Sequence, residues 1–123
     1  MFELKIISHF AAAHQLTMVA KKCENLHGHN WKVEVCVKGD RLNNAGVLVD
    51  FGILKGYVKE IMGRLDHKFL NELPYFDTVA PSSENLAFYI ATSLQEMIKE
   101  PGMAVSRVTT WESEDACATY FPQ

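Results

Sequence analysis

The sequence predicts an α+β domain: an antiparallel four-stranded sheet with two helices on one face, in the order β-β-α-α-β-β. Apolar residues alternate with polar ones near both ends of the chain, the period of half-buried strands. In the middle they recur at helical spacing. The four strands fall in two consecutive pairs, which favours hairpins over crossovers and hence an antiparallel sheet. With 123 residues and neither an internal repeat nor a linker-like tract, one domain over residues 1–123 is expected.

The first strand is read over residues 2–10, where Phe2, Leu4, Ile6 and Phe10 oppose Glu3 and Lys5. A loop is expected from about Ala12 to Leu26. Trp31, Val33, Val35 and Val37 then alternate with Lys32, Glu34, Cys36 and Lys38, which gives a second strand over 31–38. Gly39-Asp40 and Asn43-Asn44-Ala45-Gly46 supply turn chemistry, and Val47-Leu48-Val49 reads as a short extended piece. Asp50 can cap a helix whose stripe is Leu54, Tyr57, Val58, Ile61 and Leu65. Gly52, Gly56 and Gly63 weaken it by up to about 1 kcal/mol each, so packing must hold it. The second helix starts at Pro81-Ser82-Ser83-Glu84, a capping sequence with an acidic first turn. Its stripe is Leu86, Tyr89, Ile90, Leu94, Met97 and Ile98, and Pro101-Gly102 ends it. Strands over about 105–112 and 116–121 complete the order.

Composition narrows the function classes. Apolar types make up 48% and charged types 22%, a globular balance. The net charge of −3 leaves no basic excess for a general nucleic-acid binder. No apolar run approaches the ~20 residues of a membrane span. The alternating N-terminus reads as neither a signal nor a transit peptide. Cys23, Cys36 and Cys117 are an odd number without CxxC spacing, read as reduced thiols of a cytoplasmic protein.

The chemistry concentrates in Cys23-Glu24-Asn25-Leu26-His27-Gly28-His29. If residues 27–29 are extended, His27 and His29 point to the same side and can grip a divalent metal. His14, just after Phe10-Ala11-Ala12-Ala13, is the third candidate. Three histidines without a fourth protein ligand make an open, catalytic type of zinc site. An HxH pair also arises by chance on surface strands, and for the isolated motif that is the commoner case. Cys23 near a metal would have a lowered thiol pKa and serve as nucleophile or base; otherwise it is a buried thiol or a fourth ligand. Cys36 and Cys117 sit in strand patterns and read as structural. Asp66-His67, ending the first helix, can form an oriented acid–base pair, but spacing alone favours a plain helix C-terminal histidine. Glu112 precedes Glu114-Asp115, an acidic stretch that is usually a solvated hairpin tip.

Six motifs in order then matter together: Phe10-Ala11-Ala12-Ala13-His14, Cys23-Glu24-Asn25-Leu26-His27-Gly28-His29-Asn30, Val49-Asp50-Phe51, Leu65-Asp66-His67-Lys68-Phe69-Leu70-Asn71, Pro81-Ser82-Ser83-Glu84-Asn85, and Trp111-Glu112-Ser113. This combination, spanning nearly the whole chain, resembles the 6-pyruvoyltetrahydropterin synthase family. It is closest to the bacterial 6-carboxytetrahydropterin synthase branch of queuosine biosynthesis, because three residues separate Cys23 from His27.

The resemblance implies Zn2+ on His14, His27 and His29. Cys23, Asp66 and His67 match the catalytic residues. Glu112 matches the glutamate that anchors the pterin ring, and Ser82 and Ser83 match the pocket beside it. It implies the tunnelling fold, with units joined through their sheets into a trimer or a dimer of trimers, and active sites between subunits. The implied reaction turns 7,8-dihydroneopterin triphosphate into 6-carboxy-5,6,7,8-tetrahydropterin, acetaldehyde and triphosphate. Lys21, Lys22, Arg64 and Lys68 are candidates for the triphosphate. A glutamate in the cysteine loop, as at Glu24, goes with dihydroneopterin-aldolase-like activity in some relatives. That activity and pyruvoyltetrahydropterin formation are therefore alternatives, as is a non-enzymatic zinc-stabilised binding module.

Overall fold

Trp31, Val33, Val35 and Val37 are fully inaccessible to solvent, while Lys38 at the end of the same alternation is exposed. They belong to the central strand of a sheet seen in the computed structural model, which describes residues 1–16 and 26–123. The elements are β1 (Phe2–His14), β2 (His27–Gly39), α1 (Phe51–Leu65), β3 (Lys68–Phe69), α2 (Ser83–Met97), β4 (Met103–Ser113) and β5 (Ala116–Tyr120). The strands lie side by side as β3-β1-β2-β4-β5.

Two antiparallel pairs, β1 with β2 and β4 with β5, are joined through an antiparallel β2–β4 pairing. Helix α1 packs on β1, α2 packs on β4 and β5, and the helices touch each other. The core is one cluster: Ile6, Phe10 and Ala12 of β1, the β2 residues above, Leu54, Val58, Ile61 and Leu65 of α1, and Leu86, Ile90 and Leu94 of α2. Burying each such Leu or Ile contributes about 1.5–3 kcal/mol, which offsets the three α1 glycines. Asp50 caps α1 by accepting from the Gly52 amide, and Ser82 caps α2 by accepting from the Asn85 amide. No helix of the described residues is long and apolar enough to cross a membrane.

The sheet is five-stranded and mixed, not four-stranded and antiparallel. The chain leaving α1 turns at Asp66-His67 and lays Lys68–Phe69 parallel to Ala12–Ala13, on the free edge of β1. A two-residue strand is too short to carry an alternation. The loop expected from Ala12 is also displaced, since β1 runs to His14 and β2 starts at His27. Three alanines show no polar–apolar contrast, and only Ala12 is buried in the core beneath the helices. Val47-Leu48-Val49 is no strand: Asn43 ties this stretch into a turn through the amides of Ala45 and Val47.

Candidate metal centre

The β1–β2 register sets His14 opposite His27 and Ala12 opposite His29. Directly paired residues share a face of the sheet, as do residues two apart on one strand. All three imidazoles therefore stand on the helix-covered face at one end of the sheet. Their ring centroids are 4.8 Å (His14–His27), 5.1 Å (His14–His29) and 4.5 Å (His27–His29) apart. Trp31, fully buried, meets the rings of His14 and His29 edge-on at 5.2 and 5.5 Å, and stacks on Phe10 at 5.8 Å.

His14 is fixed from outside the sheet. Its Nδ1 lies 2.7 Å from the Pro81 carbonyl oxygen. A carbonyl can only accept, so Nδ1 carries the proton and Nε2 presents a lone pair. A carbonyl accepting from the ring nitrogen that faces away from the metal orients metal-binding histidines in this way. The Pro81 loop is in turn held by β4, because the Thr110 hydroxyl donates to the Ser83 carbonyl at 2.7 Å.

Glu112 enters from β4. Trp111 faces the other side of the sheet, where its indole N–H donates to Glu34 and the Lys32 ammonium sits 5.6 Å from the ring centroid. Strand alternation then turns Glu112 toward the histidines, with Oε2 3.6 Å from His14 Nε2 and Oε1 3.5 Å from His29 Nε2. The four donor atoms of His14, His27, His29 and Glu112 lie within 4.8 Å of one another. Burial lowers the pKa of His29, and the neighbouring His14 and His27 push the same way against the opposing pull of Glu112. The neutral imidazole is the form that binds metal. The Nε2 atoms of His14 and His29 are buried without a hydrogen-bond partner among the described residues. Two orphaned nitrogens facing a carboxylate fit a divalent cation, so the residues suit the expected zinc.

Asp66 and His67 contact each other, with His67 Nδ1 2.9 Å from Asp66 Oδ2. Both are bound to Ala11 of β1. Asp66 Oδ1 accepts from the Ala11 amide at 2.9 Å, and the His67 amide donates to the Ala11 carbonyl at 2.6 Å. Those bonds hold His67 at φ 58°, a left-handed conformation uncommon outside glycine. The Ala11 amide, followed by His67, keeps the Asp66 carboxyl below the usual carboxylate range. The pair lies outside the four-donor cluster, and the His67 side chain is 83% exposed.

Ser82 and Ser83 flank the Pro81 anchor, with the Ser82 hydroxyl engaged in capping α2. Arg64 and Lys68 are exposed on α1 and β3. Cys23, Glu24, Lys21 and Lys22 lie outside the described residues. Cys36 is buried, as expected of a structural thiol, but Cys117 is exposed on β5. Pro81, Trp31 and Asn71 carry no role in the sequence reading, yet each shapes the site. Asn71 grips Gln15, the residue after His14: its Oδ1 accepts from the Gln15 amide at 2.8 Å and its Nδ2 donates to the Gln15 carbonyl at 2.9 Å. Pro81 and Asn71 stand inside recognised motifs, so motif membership was the available signal.

The chain matches a family model described as 6-pyruvoyl tetrahydropterin synthase over residues 3–123. It is 39% identical over 113 residues to an Archaeoglobus fulgidus protein provisionally named 6-carboxy-5,6,7,8-tetrahydropterin synthase, covering 92% of this chain and 90% of the relative. It is 34% identical over 120 residues to human 6-pyruvoyl tetrahydrobiopterin synthase, covering 94% of this chain and 81% of that protein. The solved structure of Caenorhabditis elegans 6-pyruvoyl tetrahydropterin synthase superposes with a TM-score of 0.89 at 26% identity, covering 99% of this chain and 96% of that one.

Proposed function

The chain belongs to the 6-pyruvoyl tetrahydropterin synthase family, and from that premise we propose that it is a cytoplasmic zinc-dependent lyase of the 6-carboxytetrahydropterin synthase type. Its substrate is 7,8-dihydroneopterin triphosphate. With one water consumed, its products are 6-carboxy-5,6,7,8-tetrahydropterin, acetaldehyde and triphosphate, in queuosine biosynthesis. The observation that carries the reading is the pair of orphaned Nε2 atoms on His14 and His29, facing Glu112 at one end of the sheet.

His14, His27 and His29 hold the metal, which when bound polarises substrate oxygens and acidifies neighbouring groups. Every other task falls to side chains. Glu112 accepts two hydrogen bonds from the amino and ring N–H donors of the pterin, a planar bidentate match. The Ser82-Ser83 segment lines the pocket beside that ring. Cys23, as thiolate, removes a proton from the substrate's side-chain carbon. His67, oriented by Asp66, returns protons to the substrate and its leaving groups.

This division of labour requires neighbouring copies. Among the described residues, the cleft that includes His29 measures ≈ 250 Å³, below the roughly 300–1,000 Å³ of enclosed ligand sites. The exposed Asp66–His67 pair also needs a partner surface. A trimer or dimer of trimers with active sites between subunits supplies both.

Incubation of the purified protein with dihydroneopterin triphosphate, with the product identified by mass, tests the reading. The 6-carboxy product supports it. A 6-pyruvoyl product moves the chain to the other synthase branch, and a hydroxymethylpterin indicates aldol cleavage. Absence of turnover by the zinc-loaded protein favours a binding module.

A further inference from the structure

Pro81 cannot aim its own carbonyl at His14. Proline has no amide N–H through which its position could be tied, so its neighbours must do the tying. The Ser82 amide donates back to the Ala80 carbonyl at 2.9 Å, closing a three-residue turn around Pro81. The Pro81–Ser82 peptide is trans, so its carbonyl points opposite to its N–H. With the N–H directed into the turn, the carbonyl is directed out of it, and there it meets His14 Nδ1 at 2.7 Å.

The aim therefore depends on the Ala80 oxygen, and a side chain holds it. Asn85, the third residue of α2, reaches back and donates from Nδ2 to that oxygen at 2.8 Å. Its backbone amide donates to the Ser82 hydroxyl at 3.2 Å, so one residue grips both neighbours of Pro81. From the sheet, Thr110 donates its hydroxyl to the Ser83 carbonyl at 2.7 Å. Thr110 is fully buried and paired in register with Val33, a site where valine would have the same shape. The Ser83 carbonyl already belongs to the first turn of the α2 ladder. What the hydroxyl adds is a fixed distance between the loop and β4, the strand that carries Glu112 two residues on.

We propose that Asn85 and Thr110 are positioning residues of the metal centre: from the helix and from the sheet they aim the Pro81 carbonyl at His14, and so hold that ring in the tautomer whose Nε2 is free for metal. The importance of the bracket for metal rests on the zinc reading above; its effect on the tautomer does not. Which ring nitrogen carries the proton is set by the hydrogen bond the other end of the ring is offered. A Pro81 carbonyl turned elsewhere leaves His14 free to carry its proton on Nε2, where it blocks coordination.

The test reads the His14 tautomer directly, from the ring 15N shifts of metal-free protein at about pH 8.5, well above the ordinary imidazole pKa of about 6.5. Asn85→Ala and the isosteric Asn85→Asp remove the donor to Ala80 but keep the backbone amide that caps α2 through Ser82. Thr110→Val keeps the shape and removes the hydroxyl, and Thr110→Ser restores it. The parent and Thr110→Ser should show the proton on Nδ1, and the other three variants a mixture of tautomers. Zinc affinity, by chelator competition, should fall about tenfold in those three, the lower end of what losing an orienting group costs, and should recover in Thr110→Ser. Parental tautomer and affinity in Asn85→Asp and Thr110→Val overturn the proposal. So does an affinity loss that merely follows the melting temperature of the metal-free protein while the proton stays on Nδ1. If the parent binds no zinc, yet these variants lose the Nδ1 proton, the bracket stands and the zinc reading is what fails.

Discussion

The Nδ1 of His14 sits 2.7 Å from the carbonyl oxygen of Pro81, sixty-seven residues away in sequence. That bond makes the loop before α2 part of the candidate metal centre. The same loop supplies Ser82 as the α2 cap and is tied to β4 through Thr110 and Ser83. Helix initiation, sheet packing and the tautomer of one imidazole are thus set by a single short segment.

Loss of either histidine of the HxH pair should release zinc. His27→Ala and His29→Ala each leave two imidazoles, and the affinity should fall beyond the about 10–100-fold typical of losing a group that only orients a ligand. Metal analysis after gel filtration checks this. Folding should persist, because the apolar faces of β1, β2 and both helices do not include these rings. Full zinc retention in both variants removes the assignment.

Cys23→Ala should keep zinc and bind pterin while losing turnover, since a base is lost and no ligand. Zinc content, pterin affinity and product formation are measured on the same preparation. Zinc loss in this variant would identify Cys23 as a closing ligand and the chain as a binding module.

How much of this was legible in the sequence follows from how each feature is encoded. The stripes of α1 and α2 and the alternation of Trp31–Val37 are local patterns, and the helices and central strand follow them closely. The last turns of β1 were not legible, because Ala11–Ala13 present no contrast between faces. Strand β3 was not legible because its two residues are fixed by the Asp66 and His67 bonds to Ala11, a contact across fifty-five positions. In the site, the HxH pair and His14 were visible as ligand chemistry. The Pro81 and Asn71 anchors use a backbone carbonyl and an ordinary amide, which carry no signature by type. Glu112 was legible only through its motif, because by type it belongs to an acidic stretch that reads as a solvated hairpin tip.

Self-association should be stable at micromolar concentration. Residues 2–10 of β1 and the whole of β5 are open sheet edges among the described residues, and unpaired edges favour pairing with another chain. Sedimentation should give a trimer or hexamer. A stable monomer excludes the shared-site arrangement.

Acid should weaken the Asp66 clamp in a defined direction. The folded-state pKa of Asp66 is depressed, chiefly by the Ala11 amide and then by His67. Its stabilisation is therefore complete above the unfolded carboxylate pKa of about 3.9 and drains away as pH falls through the lowered folded value. In urea titrations of metal-free protein, the parent should exceed Asp66→Asn in stability at neutral pH, and the gap should close on acidification. A gap that is constant down to strongly acidic pH would show that the charge of Asp66 does not matter to the clamp.

Asn71→Ala should weaken zinc binding although Asn71 touches no ligand atom. The parallel pairing of β1 with β3 stops at Ala13 and Phe69, where the chain turns into a single 3₁₀ turn at Leu70–Glu72. The Asn71 side chain then takes over as a substitute peptide, accepting from the Gln15 amide and donating to its carbonyl. The backbone of His14 is thereby fixed on its downstream side, as its ring is fixed by Pro81. Removing the amide leaves two partly buried backbone groups to find water, a loss of about 1–3 kcal/mol. If roughly half of it bears on His14, zinc affinity falls about two- to tenfold. Competition with a chromophoric chelator measures the affinity, and thermal unfolding of the metal-free protein measures the fold. A lowered melting temperature with unchanged zinc affinity would mean that Asn71 only secures the end of β1. A fall in affinity larger than the change in apo stability would make it a positioning residue of the metal centre.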